Sequence, residues 1–310
     1  MSVAASKGPQ AASIARRAAR MRKVRDWGIA YLFLAPTVAG LGILHIIPVI
    51  RSAYFSFTDF NGVTPPDWIG FDNYNALAAN PLFWRVLRNT VYYTVGFVPL
   101  TILLALALAL LVNQAIRGVT FFRALYFMPV VTSVVAISLV WAWLYQPQFG
   151  LINFGLGLIG IPGPGWLSSM EWSMPALFIM GAWRSAGFNF VIFLAGLKGI
   201  SQDYYEAAKV DGAGWWTRFF YITLPMLSPT MFFVLVVTII GSFQVFEQTY
   251  VLTQGGPAYS TLTLSYWIYQ NAFEWFNMGK ASALAYALFL IVMVVTAAQF
   301  LGQRRWVFYR

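Results

Sequence analysis

The stretch 204–225, YYEAAKVDGAGWWTRFFYITLP, lies between two long apolar runs and resembles neither. Only 10% of the chain is charged, yet residues 198–220 hold Lys198, Asp203, Glu206, Lys209, Asp211 and Arg218. The local physics is that of an elbow. Ser201 is placed to cap a helix, with Asp203 in the first turn opposing the helix dipole. No breaker occurs from Tyr204 to Asp211, so a helix of about ten residues, roughly 15 Å long, fits. Gly212 and Gly214 end it, glycine being the usual residue of a left-handed C-terminal turn. A second helix over 215–222 then leads into Pro225 and Pro229, which a straight helix does not accommodate. Ala207 and Ala208 form a smooth patch with little side-chain entropy to lose on contact, and Glu206 sets a carboxylate beside it. Such a segment is either an ordinary solvated loop or a projection built to dock into a partner's groove.

The flanking sequence identifies the solvent. Of 310 residues 59% are hydrophobic, and the mean hydropathy is +0.66. A soluble domain is nearer half apolar and about a quarter charged. The apolar residues here are gathered into the charge-free runs 28–50, 89–116, 124–145, 219–246 and 281–303. Each reaches the ~20 residues needed to cross ~30 Å of hydrocarbon. A sixth run, 172–197, is interrupted only by Arg184. The pattern predicts an all-α integral membrane protein with six transmembrane helices. The first run is too long for the h-region of a signal peptide, and it carries Pro36 and Pro48 instead of a small-residue cleavage site near its end. There is no cysteine, so neither a disulfide nor a thiolate metal site is expected.

The net charge of +10 points to membrane topology and not to nucleic acid. Residues 1–26 alone hold seven Lys and Arg, and placing them in the cytoplasm puts fifteen of the twenty basic residues on that side. Arg51, Arg85, Arg88 and Lys280 remain outside. The positive-inside rule then sets both termini in the cytoplasm. The basic tail either lies along anionic lipid as a helix or serves as an unstructured topology signal. Three segments face out: 58–87, 146–171 and 253–280, all rich in turn residues or broken by Gly and Pro. The middle one reads as a short interfacial segment plus a loop. Trp68, Trp84, Trp166, Trp172 and Trp275 fall near span ends on that side, where indoles sit at the headgroups. No internal repeat stands out.

Glu206-Ala207-Ala208, three residues, Gly212, nine residues, Ile222, one residue, then Leu224-Pro225 resembles the EAA loop of binding-protein-dependent ABC importer permeases, with every position of the spaced pattern filled. The resemblance extends to WIGFDNYNAL (68–77), FWRVLRNT (83–90), FFRALYFMPVV (121–131), WAWLYQPQFGLIN (141–153), GFNFVIFLAGLKGI (187–200) and YVLTQGGPAYST (250–261). These are similar to the carbohydrate-uptake branch, of maltose and glycerol-phosphate type. The resemblance implies the ABC importer permease fold with a cytoplasmic coupling helix, in a prokaryotic inner or plasma membrane. It divides the chain into a basic cytoplasmic tail (1–26), a first span with outer loop (27–87), the core transmembrane domain (88–303) and a short cytoplasmic tail (304–310). Coupling to the ATPase then falls on Glu206, Ala207, Ala208, Gly212, Ile222, Leu224 and Pro225. The implied partners are a second permease (similar chain first, identical chain second), two ATP-binding subunits and an extracytoplasmic solute-binding protein.

The chain itself has no phosphate loop, since its five lysines are followed by Gly, Val, Gly, Val and Ala. It is therefore expected to bind no cofactor, with ATP and Mg used by the partner ATPase. An integral membrane enzyme would need convergent carboxylates or a histidine cluster. The ten acids are scattered, and the one histidine, His45, lies inside the first run as a helix-contact residue. An ion-driven transporter would call for several intramembrane charges; Arg184 and Glu247 are the two on offer. They either line a polar path with Asn189, Gln244 and Gln248, aided by aromatic rings, or pair with each other or with the second permease. A neutral di- or oligosaccharide suits such a path, with glycerol 3-phosphate as the alternative cargo.

Overall fold

The computed structural model describes residues 9–114 and 118–308, without the side chains of 9–19 and 24. Lys7, Arg117 and Arg310 of the charge pattern, and the tail before residue 9, lie outside the described residues. The chain forms two compact units, 1–55 and 56–310. The first contains α1 (Pro9–Leu41), a π turn (Gly42–Ile46) and α2 (Ile47–Phe55). The basic tail from Pro9 onward is thus helical and continuous with the first span. Arg20–Phe55 is 36 residues of apolar helix with its most apolar stretch wholly unburied. The π turn sits just ahead of Pro48, where the helical ladder must lose a donor, and it carries His45, which is exposed.

The second unit runs through α3 (Asp72–Ala79), α4 (Pro81–Val112), α5 (Val119–Val131), α6 (Val134–Leu144), α7 (Leu151–Leu158), α8 (Ser173–Lys198), α9 (Gln202–Val210) and α10 (Trp215–Arg218). A π turn (Phe219–Thr223) leads on to α11 (Leu224–Phe243), α12 (Glu247–Leu252), α13 (Leu264–Tyr269) and α14 (Met278–Gly302). The described residues contain no strand beyond a single Thr58–Trp68 bridge. Five helices are long and apolar enough to cross a membrane, and α5 with α6 makes a sixth span only as a pair bent by 98°. Hydropathy alone presents 124–145 as one run. The break comes at Thr132, which is extended, and at Ser133, which has left the helical region, just after Pro129. Thr132 Oγ1 donates to the Met128 carbonyl at 3.0 Å, satisfying a group that the break exposes.

The core is organised around α8. Ala186, Phe190, Phe193, Leu194 and Leu197 pack against Ala105, Leu106 and Ala109 of α4 and Leu227 and Val234 of α11. On its α5 side, Gly187 lies so close to the Tyr126 carbonyl oxygen that a Cβ there would collide with backbone. Small residues allow such approach where lipid supplies no hydrophobic drive between helices.

The outer segments depart from their reading as loops. Asn80 caps α4 by accepting from the Leu82 N–H at 2.9 Å, with Pro81 at the first helical position. The second span therefore starts eight residues before the charge-free run does. Trp166 is no headgroup anchor: it is buried against Tyr145 at 5.3 Å, its Nε1 donating to Asn153 Oδ1 at 2.7 Å. Trp68, Trp84, Trp172 and Trp275 are exposed. The 253–280 segment folds back into the protein, with Leu262, Leu264, Tyr266 and Trp267 buried against α4 and α14. Asn89 of α4 pins it by donating to the carbonyls of Tyr259 (2.8 Å) and Leu262 (3.0 Å).

Gly187→Val should destabilise the purified protein by about 1–3 kcal/mol through overpacking against backbone that cannot yield. A thermal melt reads this as a lowered Tm, while Gly155→Ala, with open space at that position, should be neutral or slightly stabilising.

Candidate functional site

The elbow assembles from local hydrogen bonds. Ser201 Oγ accepts from the Asp203 N–H at 3.3 Å, capping α9. At the other end Gly212 takes φ +75°; its N–H reaches the Lys209 carbonyl at 3.0 Å, and the Ala213 N–H reaches Ala208 at 2.8 Å. That paired closure is a Schellman turn, and it needs a left-handed residue at position 212. Gly214 plays a different part from the one expected. Its backbone is extended (φ −69°, ψ 175°) and it stands at the start of α10 instead of ending α9.

After α10 the π turn widens the helix, with the Leu224 N–H reaching back to the Phe219 carbonyl. Pro225, which has no N–H, follows at the point where the ladder changes step. The expected second helix over 215–222 is therefore an α turn and a π turn that run on into α11. Tyr205 ties the two limbs, its hydroxyl 3.0 Å from Thr223 Oγ1. The expected elbow residues divide accordingly. Glu206 and Ala207 are exposed on α9 and Ala208 is half-buried, Gly212 makes the turn, and Ile222, Leu224 and Pro225 are half-buried at the root.

At the far end of α11 the helix stops at Phe243, and the chain changes direction through 244–246 before α12. The carbonyls freed there are taken up by hydroxyls: Ser265 Oγ donates to Phe243 at 3.3 Å and Thr263 Oγ1 to Val245 at 3.0 Å. A cavity of about 570 Å³ opens beside this break, bounded by α4, the α5–α6 bend, α8 and α11. Asn189, Gln244, Glu247 and Gln248 all line it, as does Arg184. Asn189 is buried and its Nδ2 donates to Thr238 Oγ1 at 3.3 Å; Gln248 is buried and donates to the Tyr93 hydroxyl. Gln244 and Glu247 are exposed.

Arg184 is half-buried, with a buried Nε that has no hydrogen-bond partner. It does not pair with Glu247, the one ion pair among the described residues being Arg25 with Asp26. Tyr93, Phe97, Phe188 and Phe246 complete the wall, Tyr93 and Phe97 stacked at 5.2 Å. Sequence reasoning named none of these rings. The i, i+4 pair Tyr93–Phe97 was a signal, but it is hidden among the many aromatics of the chain.

Residues 97–306 match the family of binding-protein-dependent transport system inner membrane components. The chain belongs to that family. Among its relatives, the sulfoquinovosyl glycerol transport system permease protein SmoG of Agrobacterium fabrum is 36% identical over 271 residues, 87% of this chain and 88% of that protein. The lactose transport system permease protein LacF of Rhizobium radiobacter is 36% identical over 280 residues, 88% of this chain and 93% of that one. A solved bacterial alginate ABC transporter, in complex with an alginate pentasaccharide-bound periplasmic protein, aligns with a TM-score of 0.80 at 25% identity, over 91% of this chain and 95% of its own. The permease is thus an inner-membrane component of the ABC importer class.

The two elbow glycines should differ in their tolerance. Gly212→Val places a β-branched residue in the left-handed region at a cost of about 1–2 kcal/mol, and amide exchange over 207–213 should accelerate. Gly214→Ala, in ordinary extended backbone, should leave that exchange unchanged.

Proposed function

We propose that this permease forms one half of the translocation path of an ATP-driven sugar importer and receives the ATPase stroke through its elbow. The observation that carries the substrate reading is the cavity at the α11–α12 break. It brings Asn189, Gln244, Glu247 and Gln248 to one wall with Arg184 and four aromatic rings. A polyhydroxylated ligand needs donors, acceptors and ring faces together; the amides supply donors and acceptors, the carboxylate acceptors, and the four aromatic side chains the faces. Arg184 and Glu247 face one cavity without pairing, so their formal charges offset each other. That balance favours a neutral di- or oligosaccharide over glycerol 3-phosphate, which Glu247 would repel and for which Arg184 is the only arginine on the wall. The sugar-linked names of the relatives, lactose and sulfoquinovosyl glycerol, support the same class of cargo.

The assembly we infer contains a second permease of similar sequence, two ATP-binding subunits seated on the elbows, and an extracytoplasmic solute-binding protein. The periplasmic protein bound to the alginate transporter supports the last of these. Exposed Glu206 and Ala207 are the contact with the ATPase, Ala208 and Gly212 hold the turn, and Ile222, Leu224 and Pro225 pass the movement into α11. The orientation follows from the basic residues, with elbow and both termini in the cytoplasm.

Orientation is tested by labelling, since the chain has no native cysteine. Lys209→Cys should resist an impermeant maleimide on intact cells and Tyr259→Cys should react; the opposite pattern would reverse the topology and remove the docking argument.

Transport is tested in the reconstituted complex. Glu206→Arg should insert normally and lose most substrate-stimulated ATP hydrolysis, on the order of tenfold. Glu247→Ala should raise the KM for disaccharide uptake by about tenfold, the worth of one or two hydrogen bonds. Uptake of labelled glycerol phosphate with none of labelled disaccharide would overturn the substrate class.

A further inference from the structure

Pro229 lies one turn inside α11 and has no N–H to give. The carbonyl it leaves without a ladder donor is that of Pro225, four residues back at the root of the elbow. Ser228 makes good the loss, its buried hydroxyl donating to the Pro225 oxygen at 2.6 Å. The hydroxyl has one proton, and that bond uses it. Its oxygen still accepts, and the group that fills this role comes from the far end of the chain: the Phe308 N–H donates to Ser228 Oγ at 2.9 Å.

The segment that delivers Phe308 is well defined. After α14 it makes a tight 3-10 turn, Gln303–Arg305, with the N–H groups of Trp306 (3.1 Å) and Val307 (2.9 Å) both on the Gln303 carbonyl. Trp306 then meets Phe232 of α11 edge-on at 6.0 Å, and Phe300 of α14 also meets Phe232 edge-on at 5.2 Å. Residues 303–308 thus lie as a strap across the base of α11, clasped by rings at Phe232 and by a hydroxyl relay at Ser228.

We propose that Ser228 is a positioning residue of the coupling joint, and that through it the C-terminal strap holds the angle at which α11 leaves the elbow. Pro225 and Pro229 make this stretch the weakest part of the rod, because two ladder bonds are missing within five residues. A strap fixed to α11 at Ser228 and Phe232, on either side of Pro229, converts elbow displacement into displacement of the whole of α11. Without the relay this stretch flexes, and the stroke is absorbed there before it reaches the cavity end.

The inference rests on the elbow being the joint, so the test is made on the complete reconstituted importer, where wild type must show sugar-stimulated ATP hydrolysis. A wild-type complex lacking that stimulation would break the proposed function itself. Ser228→Ala, which leaves the Pro225 carbonyl without its donor, should assemble with a modestly lowered Tm and near-normal hydrolysis without sugar, while the stimulated increment falls about fivefold or more. Ser228→Thr, which keeps a hydroxyl, should restore most of it. Hydrogen exchange at 306–308 should speed up by about tenfold in Ser228→Ala, reporting release of the strap. Deleting 306–310 should give the same loss, and Ser228→Ala should add nothing in the deleted chain. Full stimulation in Ser228→Ala despite the freed strap, or losses that add, would overturn the proposal. If Ser228→Ala fails to assemble, the deletion and Ser228→Thr decide it by the same readout.

Discussion

Every backbone carbonyl that enters hydrocarbon must find a donor inside the protein, because no water is there to serve it. Much of the polar architecture of this permease answers that demand. Where a spanning helix runs unbroken it answers for itself. Where α5, α11 and the inward-folded 253–280 segment break, a hydroxyl or amide is present: Thr132 at the α5–α6 bend, Ser228 at the proline pair, Thr263 and Ser265 at the end of α11, and Asn89 under the outer loop. Thr90 does two such tasks, donating to Val86 within its own helix and accepting the Leu264 N–H from the inserted segment at 3.0 Å.

The same demand shapes both ends of α11. Helix α11, twenty residues long, rises by roughly 30 Å between a proline pair at its root and a break at its tip. The elbow lies beyond the prolines and the cavity beside the break. Between them Leu227 and Val234 pack on α8, and Phe232 touches both Phe300 and Trp306. The rod is packed along its middle and interrupted at the elbow and at the cavity.

Much of this was legible in the sequence, and what was hidden was hidden for definite reasons. Charge-free runs located the spans, because hydrocarbon penalises charge whatever the local fold. Elbow chemistry was legible because capping and left-handed turns depend on neighbours a few residues apart, as with Ser201 and Gly212. Gly214 was misassigned because composition does not distinguish a glycine at φ +75° from one in extended backbone. The buried Trp166 and the inserted 262–267 segment depend on partners more than ten residues away, and hydropathy registers neither those nor the backbone change at Thr132 that makes the α5–α6 bend. Asn189 and Gln248 were noticed as polar residues in apolar runs, but their bonds to Thr238 and Tyr93 required three dimensions, as did the gathering of Tyr93, Phe97, Phe188 and Phe246 around them.

The cavity wall is not uniform in what it leaves free to vary. Asn189 and Gln248 are already engaged by protein partners, and their removal would leave Thr238 or Tyr93 unsatisfied in a buried setting. Gln244 and Glu247 are exposed at the break, and the hydroxyls that repair the surrounding backbone belong to Thr263 and Ser265 instead. Substitution at these two positions changes what the wall presents without disturbing what holds it together. On the proposed function, a lineage acquiring a new cargo would take its least disruptive first steps there, so differences of diet among such permeases should be written at the break before they are written on α8.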